Sequence, residues 1–264
     1  MSAPLVSIII VNYNTPDLVY DCLESIEKHM PVPYEVIVVE NSTKSFVTQP
    51  ELHKYPHTRL VEPKPGRGYG GGNNAGAALA TGTYLWLLNS DTLLIDGSVS
   101  ELIALFENNP EIGIVSPYLY NDTAATQLQQ DFCANFQTLS RLILRKTRPQ
   151  LHADTPTNVD IVVGAALMIR RSLYERLGGF DERIFMYMED DDLCLRAVQA
   201  GFITMVTPLA RIIHLQGKSI AANSQRKKYY YKSQDYYWKK HHGVLAATVM
   251  KILRFPIKVR NTRH

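Results

Sequence analysis

The chain has 264 residues, 45% of them hydrophobic and 20% charged, which is typical of a globular protein with a sizeable core. Residues 225–264 hold eleven Lys or Arg and a single acid, so the net charge of +3 conceals an acidic body and a basic tail. No apolar run could cross a bilayer, no secretory signal opens the chain, and the three distant cysteines argue against disulfides and a zinc site. We therefore expect a cytoplasmic protein.

The first third of the chain alternates predicted strands with predicted helices. Such alternation predicts an α/β fold with a mostly parallel, Rossmann-like central sheet and helices on both faces. Thr15 and Pro16 suit the start of the first helix. The predicted strands are 5–11, 35–39, 58–61 and 84–88, and the predicted helices are 16–28, a weaker one from 45, and 72–80.

The second half of the chain is less regular. Residues 118–158 are polar and basic, and we interpret them as a variable insert over the sheet edge. Around this insert, the pattern predicts helices at 97–107, 171–177 and 189–200, and strands at 112–116, 159–170, 203–207 and 211–213.

An apolar run at residues 83–88 ends abruptly in Asn89, Ser90 and Asp91. A carboxylate at this point lies at the carboxyl edge of the sheet, where open α/β folds bind their ligands. The alternative is an aspartate in an ordinary turn.

The glycine-rich segment 66–76 opens a helix, so its backbone amides can face a phosphate. Glycines 66, 68 and 71 satisfy GxGxxG, but the dinucleotide motif should follow the first strand of its unit. Here Pro63 and Pro65 separate the segment from a third strand, which disfavours a nicotinamide enzyme. A flexible turn before a helix is the structural alternative.

Four successive acids, Glu189 to Asp192, open the helix at 189–200. The positive end of the helix dipole stabilises their charge, and capping of the helix is one explanation of the cluster. Asp192 and Arg196 are spaced for an ion pair along the helix, so we assign Asp192 to structure. Asp190 is freer to act as a base on an incoming hydroxyl.

His214 follows the predicted strand at 211–213 and begins the pattern His-x-x-Gly-x-Ser. A neutral imidazole on a loop can complete the coordination of a divalent metal that carboxylate oxygens already hold. A lone histidine is also common as a surface or core residue.

Seven motifs in this order resemble family 2 glycosyltransferases, and most closely the bacterial rhamnosyltransferase-like branch. The resemblance spans roughly residues 5–240. The motifs lie at residues 6–14, 38–42, 66–76, 87–91, 178–182, 188–196 and 214–219.

The resemblance implies a GT-A fold over residues 1–224. Residues 1–117 would bind a nucleoside diphosphate sugar, and residues 118–224 would bind the acceptor. Glu40 stands where the family usually has an aspartate that hydrogen-bonds a pyrimidine base. The donor-binding positions implied by the resemblance are Asn12, Tyr13, Asn14, Glu40, Asn41, Arg67, Gly68, Gly71, Asn73, Asn74, Asn89, Ser90 and Asp91.

The resemblance also implies a divalent metal, Mg²⁺ or Mn²⁺, held by Asp91 and His214 with Asn89 as a further candidate. The metal would neutralise charge on the leaving diphosphate. Asp190 would deprotonate the acceptor, with Glu189 on the acceptor side, in a single displacement that inverts the anomeric carbon.

The resemblance favours dTDP-L-rhamnose as the donor and leaves UDP- and GDP-sugars open. The implied acceptor is a saccharide or a polyprenyl-diphosphate-linked saccharide in cell-surface polysaccharide synthesis. A non-catalytic carbohydrate-binding protein on the same fold is the main alternative, but it would be expected to lack Asp91 or Asp190, and both are present.

Residues 225–264 interleave cations with aromatic residues and include a short apolar stretch at 244–250. This composition is typical of an element that lies on an anionic membrane surface. Alternatively, residues 229–243 pack on the core as a helix. Nucleic acid is disfavoured, because the body is acidic and no reader motif is present.

Overall fold

The computed structural model describes residues 3–44, 46–64, 66–129, 131–137, 149–152, 154–215 and 223–261. For residues 223–224 and 255–261 it describes the backbone alone. Gly217 and Ser219 of the predicted His-x-x-Gly-x-Ser motif and parts of the predicted insert lie outside the described residues.

The first half of the chain alternates strands and helices as predicted. Its elements are β1 (Val6–Asn12), α1 (Pro16–His29), β2 (Tyr34–Glu40), α2 (Gln49–Leu52), β3 (Thr58–Val61), α3 (Gly68–Ala77), β4 (Tyr84–Asn89), β5 (Thr92–Leu94) and α4 (Val99–Asn108). The second half contains β6 (Ile112–Tyr120), β7 (Cys133–Ala134), β8 (Thr157–Val159), β9 (Ile161–Val162), β10 (Ala166–Arg170), α5 (Arg171–Leu177), α6 (Glu189–Gln199), β11 (Ile203–His214) and α7 (Asn223–Asn261).

A mixed central sheet carries the fold, in the order β3-β2-β1-β4-β10-β6-β11-β5, with β8 paired to β11. The strands β3, β2, β1 and β4 are parallel to one another. Their continuous Val, Ile and Leu runs follow from helices covering both faces of the sheet. Because the strands are parallel, β1, β2 and β4 all end at one edge, and this edge positions the site.

The sheet changes direction beyond β4. Strand β10 runs antiparallel between β4 and β6, while β11 is parallel to β6 and antiparallel to β5. The prediction of one strand at 159–170 was wrong: a turn at 163–165 separates β10 from the short β9. The prediction of two strands at 203–207 and 211–213 was also wrong, because β11 continues through a register shift between Thr207 and Arg211.

Helix α3 begins within the glycine-rich segment, at Gly68 rather than at residue 72 as predicted. A Cβ at Gly72 would lie 2.8 Å from Val11 Cγ1, and one at Gly76 would lie 2.6 Å from Ile9 Cγ2. These glycines are four residues apart and share one face of the helix. They allow α3 to pack directly on β1, so close packing is one reason for the glycine content.

The C-terminal helix α7 is broken at Gly243, whose φ of 83° and ψ of 172° are not helical. The part after Gly243 folds back on the part before it, since the Arg254 guanidinium donates to Tyr231 O and to the Gln234 and Asp235 side chains. We call residues 223–261 the C-terminal hairpin. Among the described residues, no helix combines the length and apolarity needed to cross a membrane.

The inner face of the C-terminal hairpin packs against the segment that precedes α6. The buried residues of this contact are Ile184, Met188, Tyr237, Trp238, Ala247 and Met250. Tyr237 is 0% exposed and Trp238 is 1% exposed. These two aromatic side chains are therefore core residues, which supports the packing alternative for residues 229–243.

Candidate active site

The loops after β1 and β2 are joined by a buried hydrogen-bond network. Asn12 Nδ2 donates to Glu40 Oε2 at 2.8 Å and to Ser42 Oγ at 3.0 Å. Glu40 also accepts from the backbone amides of Ser42 at 2.8 Å and Val47 at 2.7 Å. Glu40 is 5% exposed, so its carboxylate shapes the loop after β2. Its predicted contact with a base stays a prediction.

A second set of contacts fixes the neighbouring loops. Asn14 has a left-handed backbone (φ 61°), and its Oδ1 accepts from the amides of Thr43 and Lys44. Asn41 Oδ1 accepts from the amides of residues 66 and 67, while its Nδ2 donates to Gly68 O. Tyr13 is exposed on the same edge. Hydrogen bonds therefore join the predicted donor-binding loops to one another.

Other predicted donor-binding residues connect α3 to the segment 178–185. Arg67 Nη2 lies 2.8 Å from Glu182 Oε1. The Asn74 amide bonds to both backbone groups of Phe180. A Cβ at Gly68 would meet Phe185 O at 2.1 Å, and one at Gly71 would meet the Arg67 side chain.

Asn73 is buried at the same place, and its Nδ2 donates to Tyr69 O. The structure thus gives Arg67, Gly68, Asn73 and Asn74 packing and hydrogen-bonding contacts within the protein. Their role in donor binding stays a prediction.

Asn89, Asp91 and His214 converge where β4 ends. Strand β5 pairs with the end of β11 so that Thr92 lies opposite His214. As a result His214 Nε2 lies 3.4 Å from Asp91 Oδ1 and 3.5 Å from Asn89 Nδ2. Asp91 is 4% exposed and His214 is 8% exposed. The sequence-predicted metal ligands are therefore neighbours.

The surroundings of His214 suit a metal ligand. Its Nδ1 lies 3.0 Å from Gln129 Oε1, and because that oxygen only accepts, the proton of the neutral ring is assigned to Nδ1. The Nε2 lone pair then faces the Asp91 carboxylate, an arrangement that a cation between them would satisfy. Within the described ranges no cluster of three or more His, Cys, Asp or Glu surrounds such a cation. Diphosphate oxygens and water would have to complete its shell.

Ser90 lies between Asn89, the last residue of β4, and Asp91, and is 5% exposed. Its Oγ is 3.0 Å from Thr15 Oγ1. Thr15 occupies the position before α1, but its side chain makes no capping bond to the helix. The hydroxyl pair instead connects the loop after β1 to the loop after β4.

The acidic cluster lies at the start of α6. Asp190 accepts from the amides of Gly164 at 3.1 Å and Asp191 at 3.0 Å, and burial raises its pKa. Burial and the nearby Asp190 charge raise the pKa of Glu189 further. Among the described residues, the buried Glu189 Oε2 has no hydrogen-bond partner. Tyr187 and Met188, just before the helix, have left-handed φ values of 65° and 71°, a strain that surrounding packing must hold.

The turn at residues 163–165 joins the acidic cluster to the end of β4. Gly164 N donates to Asp190, and the next carbonyl, Ala165 O, accepts from Asn89 N at 2.9 Å. The Tyr69 hydroxyl donates to Gly164 O. Asp190 and the Asn89 backbone therefore contact adjacent residues of one turn, which places the acidic cluster beside the predicted metal ligands.

Asp192 has a structural environment, as its spacing predicted. It is 0% exposed, and its carboxylate accepts from Arg196 Nε at 2.8 Å, from His241 Nε2 at 2.7 Å and from Lys240 Nζ. Burial alone would raise its pKa, but the His241 bond and the Arg196 and Lys240 charges lower it overall. Lys240 also contacts Asp181 at 2.8 Å. Ion pairs and hydrogen bonds from Lys240 and His241 therefore connect the C-terminal hairpin to the helix that carries Asp190.

Lys240→Met is expected to lower the thermal midpoint by about 5 °C, equivalent to about 2 kcal/mol, because it leaves Asp192 with fewer cationic partners. Lys239→Met, at the exposed neighbouring position, is the matched control and should shift the midpoint by less than about 1 °C. Thermal denaturation followed by circular dichroism measures both. Equal midpoints for the two variants would show that the Lys240 contacts do not stabilise the fold.

If Asp190 is the base that the sequence predicts, the pH dependence of turnover should report its raised pKa. A base must be deprotonated, so kcat/KM is expected to be full above this pKa and to fall as the pH drops through it. Since burial raises the pKa, this acid limb should lie above the ordinary aspartate value of about 4. Nucleotide release measured from about pH 4 to pH 8.5 tests this. A profile that stays flat to the acid end would contradict it.

Two solved structures share the fold at low sequence identity. GalNAc-T7, solved with UDP, GalNAc and Mn²⁺, has a TM-score of 0.65 and 16% identity, covering 90% of this chain and 51% of that chain. The mannosyltransferase PcManGT of Pyrobaculum calidifontis, solved with GDP-Man and Mn²⁺, has a TM-score of 0.57 and 19% identity, covering 96% of this chain and 65% of that chain. The predicted GT-A fold is therefore confirmed.

Residues 7–178 match the family described as glycosyl transferase family 2, and the chain belongs to this family. It is 26% identical to the N-acetylglucosaminyl-diphospho-decaprenol L-rhamnosyltransferase of Mycobacterium tuberculosis (strain CDC 1551 / Oshkosh), over 71% of this chain and 68% of that protein. It is 28% identical to rhamnosyltransferase WbbL of Escherichia coli K12, over 80% of this chain and 83% of that protein. The resemblance to the rhamnosyltransferase-like branch is thus confirmed.

Gln129 was missed by the sequence analysis. It comes from the irregular segment that we interpreted as an insert, and no pattern marks it. Lys240 and His241 were seen only as part of a basic tail, because their acidic partners lie more than forty residues away. The turn at 163–165 was hidden in an apolar run that resembled one strand.

Proposed function

We propose that this glycosyltransferase is metal-dependent and inverts the anomeric carbon of its donor. The observation that carries the proposal is that Asp190 and the Asn89 backbone both bond to the turn at 163–165, with the Asp91–His214 pair at the end of the strand that Asn89 closes. A carboxylate beside a diphosphate-binding point suits a single displacement, in which base and leaving group act in the same step.

Asp91 and His214 would hold a divalent metal, with Asn89 as a third candidate ligand. When bound, the metal supplies Lewis-acid stabilisation of the leaving diphosphate. Asp190 takes the proton from the acceptor hydroxyl while that oxygen bonds to the anomeric carbon. The bond from that carbon to the diphosphate oxygen breaks in the same step, and the configuration inverts. Glu189 lies on the acceptor side; burial and the nearby Asp190 charge raise its pKa, which favours the protonated form that donates a hydrogen bond.

In this proposal residues 1–117 bind the nucleotide sugar and residues 118–224 bind the acceptor. The connected loops containing Asn12, Asn14 and Asn41 form the wall against which the nucleotide lies. Arg67 and Asn74 contribute by fixing the segment 178–185 on α3.

The donor we favour is dTDP-L-rhamnose, because both reported relatives are named rhamnosyltransferases. UDP- and GDP-sugars are the alternatives, since the two structures with this fold contain UDP and GDP-Man. The acceptor we favour is a saccharide on a polyprenyl diphosphate, as the name of the mycobacterial relative describes for that protein. We further propose that the protein acts in the cytoplasm, at the inner face of the membrane, in cell-surface polysaccharide synthesis.

A panel of dTDP-, UDP- and GDP-sugars tests the donor, with nucleotide release measured in the presence of Mg²⁺ or Mn²⁺ and in the presence of a chelator. We expect release from dTDP-rhamnose to exceed release from the other sugars and to stop with the chelator. Preference for a UDP- or GDP-sugar would overturn the assignment of dTDP-rhamnose as donor but not the proposed reaction. Release that continues in the chelator would overturn the role of the metal.

A further inference from the structure

The C-terminal hairpin exposes an apolar edge that faces away from the domain. Leu245 is 81% exposed, Ile252 66%, Val244 65% and Leu253 48%. All four follow the break at Gly243. The opposite side of the same helical segment is buried, since Ala247 and Met250 are each 6% exposed and belong to the cluster that includes Tyr237, Trp238 and Met188. The edge is therefore an unpartnered face of a helix whose other face is fixed.

Exposed lysines accompany this edge. Lys228, Lys232 and Lys239 are exposed at helical spacing on the part of the hairpin before Gly243, and Lys251 is exposed beside Ile252. Lys251 also lies 3.5 Å from Asp235 Oδ2, so the cations before Gly243 carry most of the argument. Exposed cations and large apolar side chains on one hairpin are complementary to a bilayer with anionic headgroups. No described helix is able to span a membrane, so such a segment would lie within the interface.

We propose that the outer face of the C-terminal hairpin, centred on Leu245 and Ile252, binds the surface of an anionic lipid bilayer. The lysines contact the headgroups and the apolar edge enters the acyl boundary. This assignment differs from the one that composition suggests, because the buried Tyr237 and Trp238 are not available to lipid. The location of the membrane contact is argued from the exposed apolar edge. Its purpose depends on the proposed function, because a membrane contact serves an enzyme whose acceptor is linked to a lipid.

The contact would orient the site toward the membrane. Met188, which precedes Glu189, belongs to the buried cluster beneath the hairpin. Lys240 and His241 of the hairpin bind Asp192, two residues after Asp190. A hairpin that docks on lipid therefore carries the acidic cluster with it, and a lipid-linked acceptor would meet Asp190 close to the bilayer.

Vesicle flotation of the full chain at low salt tests whether the C-terminal hairpin binds lipid. It requires neither donor nor acceptor. We expect binding to phosphatidylcholine vesicles that contain about one third phosphatidylglycerol, and at least about tenfold weaker binding to phosphatidylcholine alone. The double variant Leu245→Asp and Ile252→Asp should bind the anionic vesicles at least about tenfold more weakly than the unmodified chain. Leu209→Asp is the matched control, because Leu209 is 48% exposed but lies on β11, and it should bind as the unmodified chain does.

Absence of binding by the unmodified chain at low salt would overturn the proposal, as would full binding by the double variant. Light scattering tests whether the apolar edge instead binds a second copy of the chain. If the unmodified chain forms a dimer that the double variant cannot form, and neither floats with vesicles, the edge is a dimer interface. Circular dichroism establishes that each variant is folded. If the chain binds vesicles but releases no nucleotide from any donor, the membrane surface is supported and the proposed reaction is contradicted.

Discussion

Asp190→Asn is expected to reduce sugar transfer by about 10³-fold or more while leaving nucleotide binding within about threefold of the unmodified protein. The amide keeps the size of the side chain but cannot accept a proton from the acceptor hydroxyl. Its contacts with the amides of Gly164 and Asp191 involve acceptor oxygens, one of which the amide retains. Nucleotide release assays measure the rate, and calorimetry with the nucleoside diphosphate measures binding.

Asp191→Asn is the matched control, since it makes the same change one residue along the same helix. We expect it to lose less than about tenfold in rate, because Asp191 is not the group that contacts the turn at 163–165. Retained transfer in the Asp190 variant, or an equal loss in both variants, would remove Asp190 from the role of base.

Asp91→Asn is expected to lower kcat/KM by about 10²-fold or more and to weaken Mn²⁺-dependent binding of the nucleoside diphosphate. An amide oxygen is a weaker ligand than a carboxylate, and His214 alone supplies one neutral nitrogen to a divalent cation. Calorimetric titration of the nucleotide with and without Mn²⁺ measures the effect. In the unmodified protein the metal should strengthen binding, and in the variant this gain should disappear.

Asp96→Asn provides the control for the Asp91 variant. Asp96 follows β5, and its carboxylate pairs with Arg211 at 3.0 Å on a partly exposed surface. Surface pairs of this kind contribute little to stability. We expect the control to keep both its turnover and its metal response. A metal response that survives in the Asp91 variant would place the cation elsewhere.

The parallel part of the fold was predictable because its signals are local. Strands buried on both faces form continuous apolar runs, and residues 58–61 were predicted with the bounds that β3 has. Short strands were missed because they are too short to show such a local pattern. Thr92–Leu94 exists as a strand because it pairs with the end of β11, about 120 residues later, and three residues carry no pattern of their own.

The proximity of the residues at the candidate site was predictable, but the hydrogen bonds that connect them were not. Asn89, Asp91 and His214 follow strands, which marks them as residues of the sheet edge. The hydrogen bonds that orient them come from distant segments: Gln129 fixes His214, and the turn at 163–165 joins Asp190 to Asn89. Such pairings arise from tertiary packing, and no periodicity in the sequence encodes them.

In the proposed reaction Asp91 and His214 would hold a cation on the diphosphate while Asp190 faces the acceptor side of the same cleft. A crystal structure with nucleoside diphosphate and Mn²⁺, with the metal located by its anomalous signal, tests it most directly. We expect Mn²⁺ within bonding distance of an Asp91 oxygen and of His214 Nε2, with Asp190 open to the acceptor space. Manganese bound elsewhere, or an Asp190 side chain closed off from the diphosphate cleft, would contradict it.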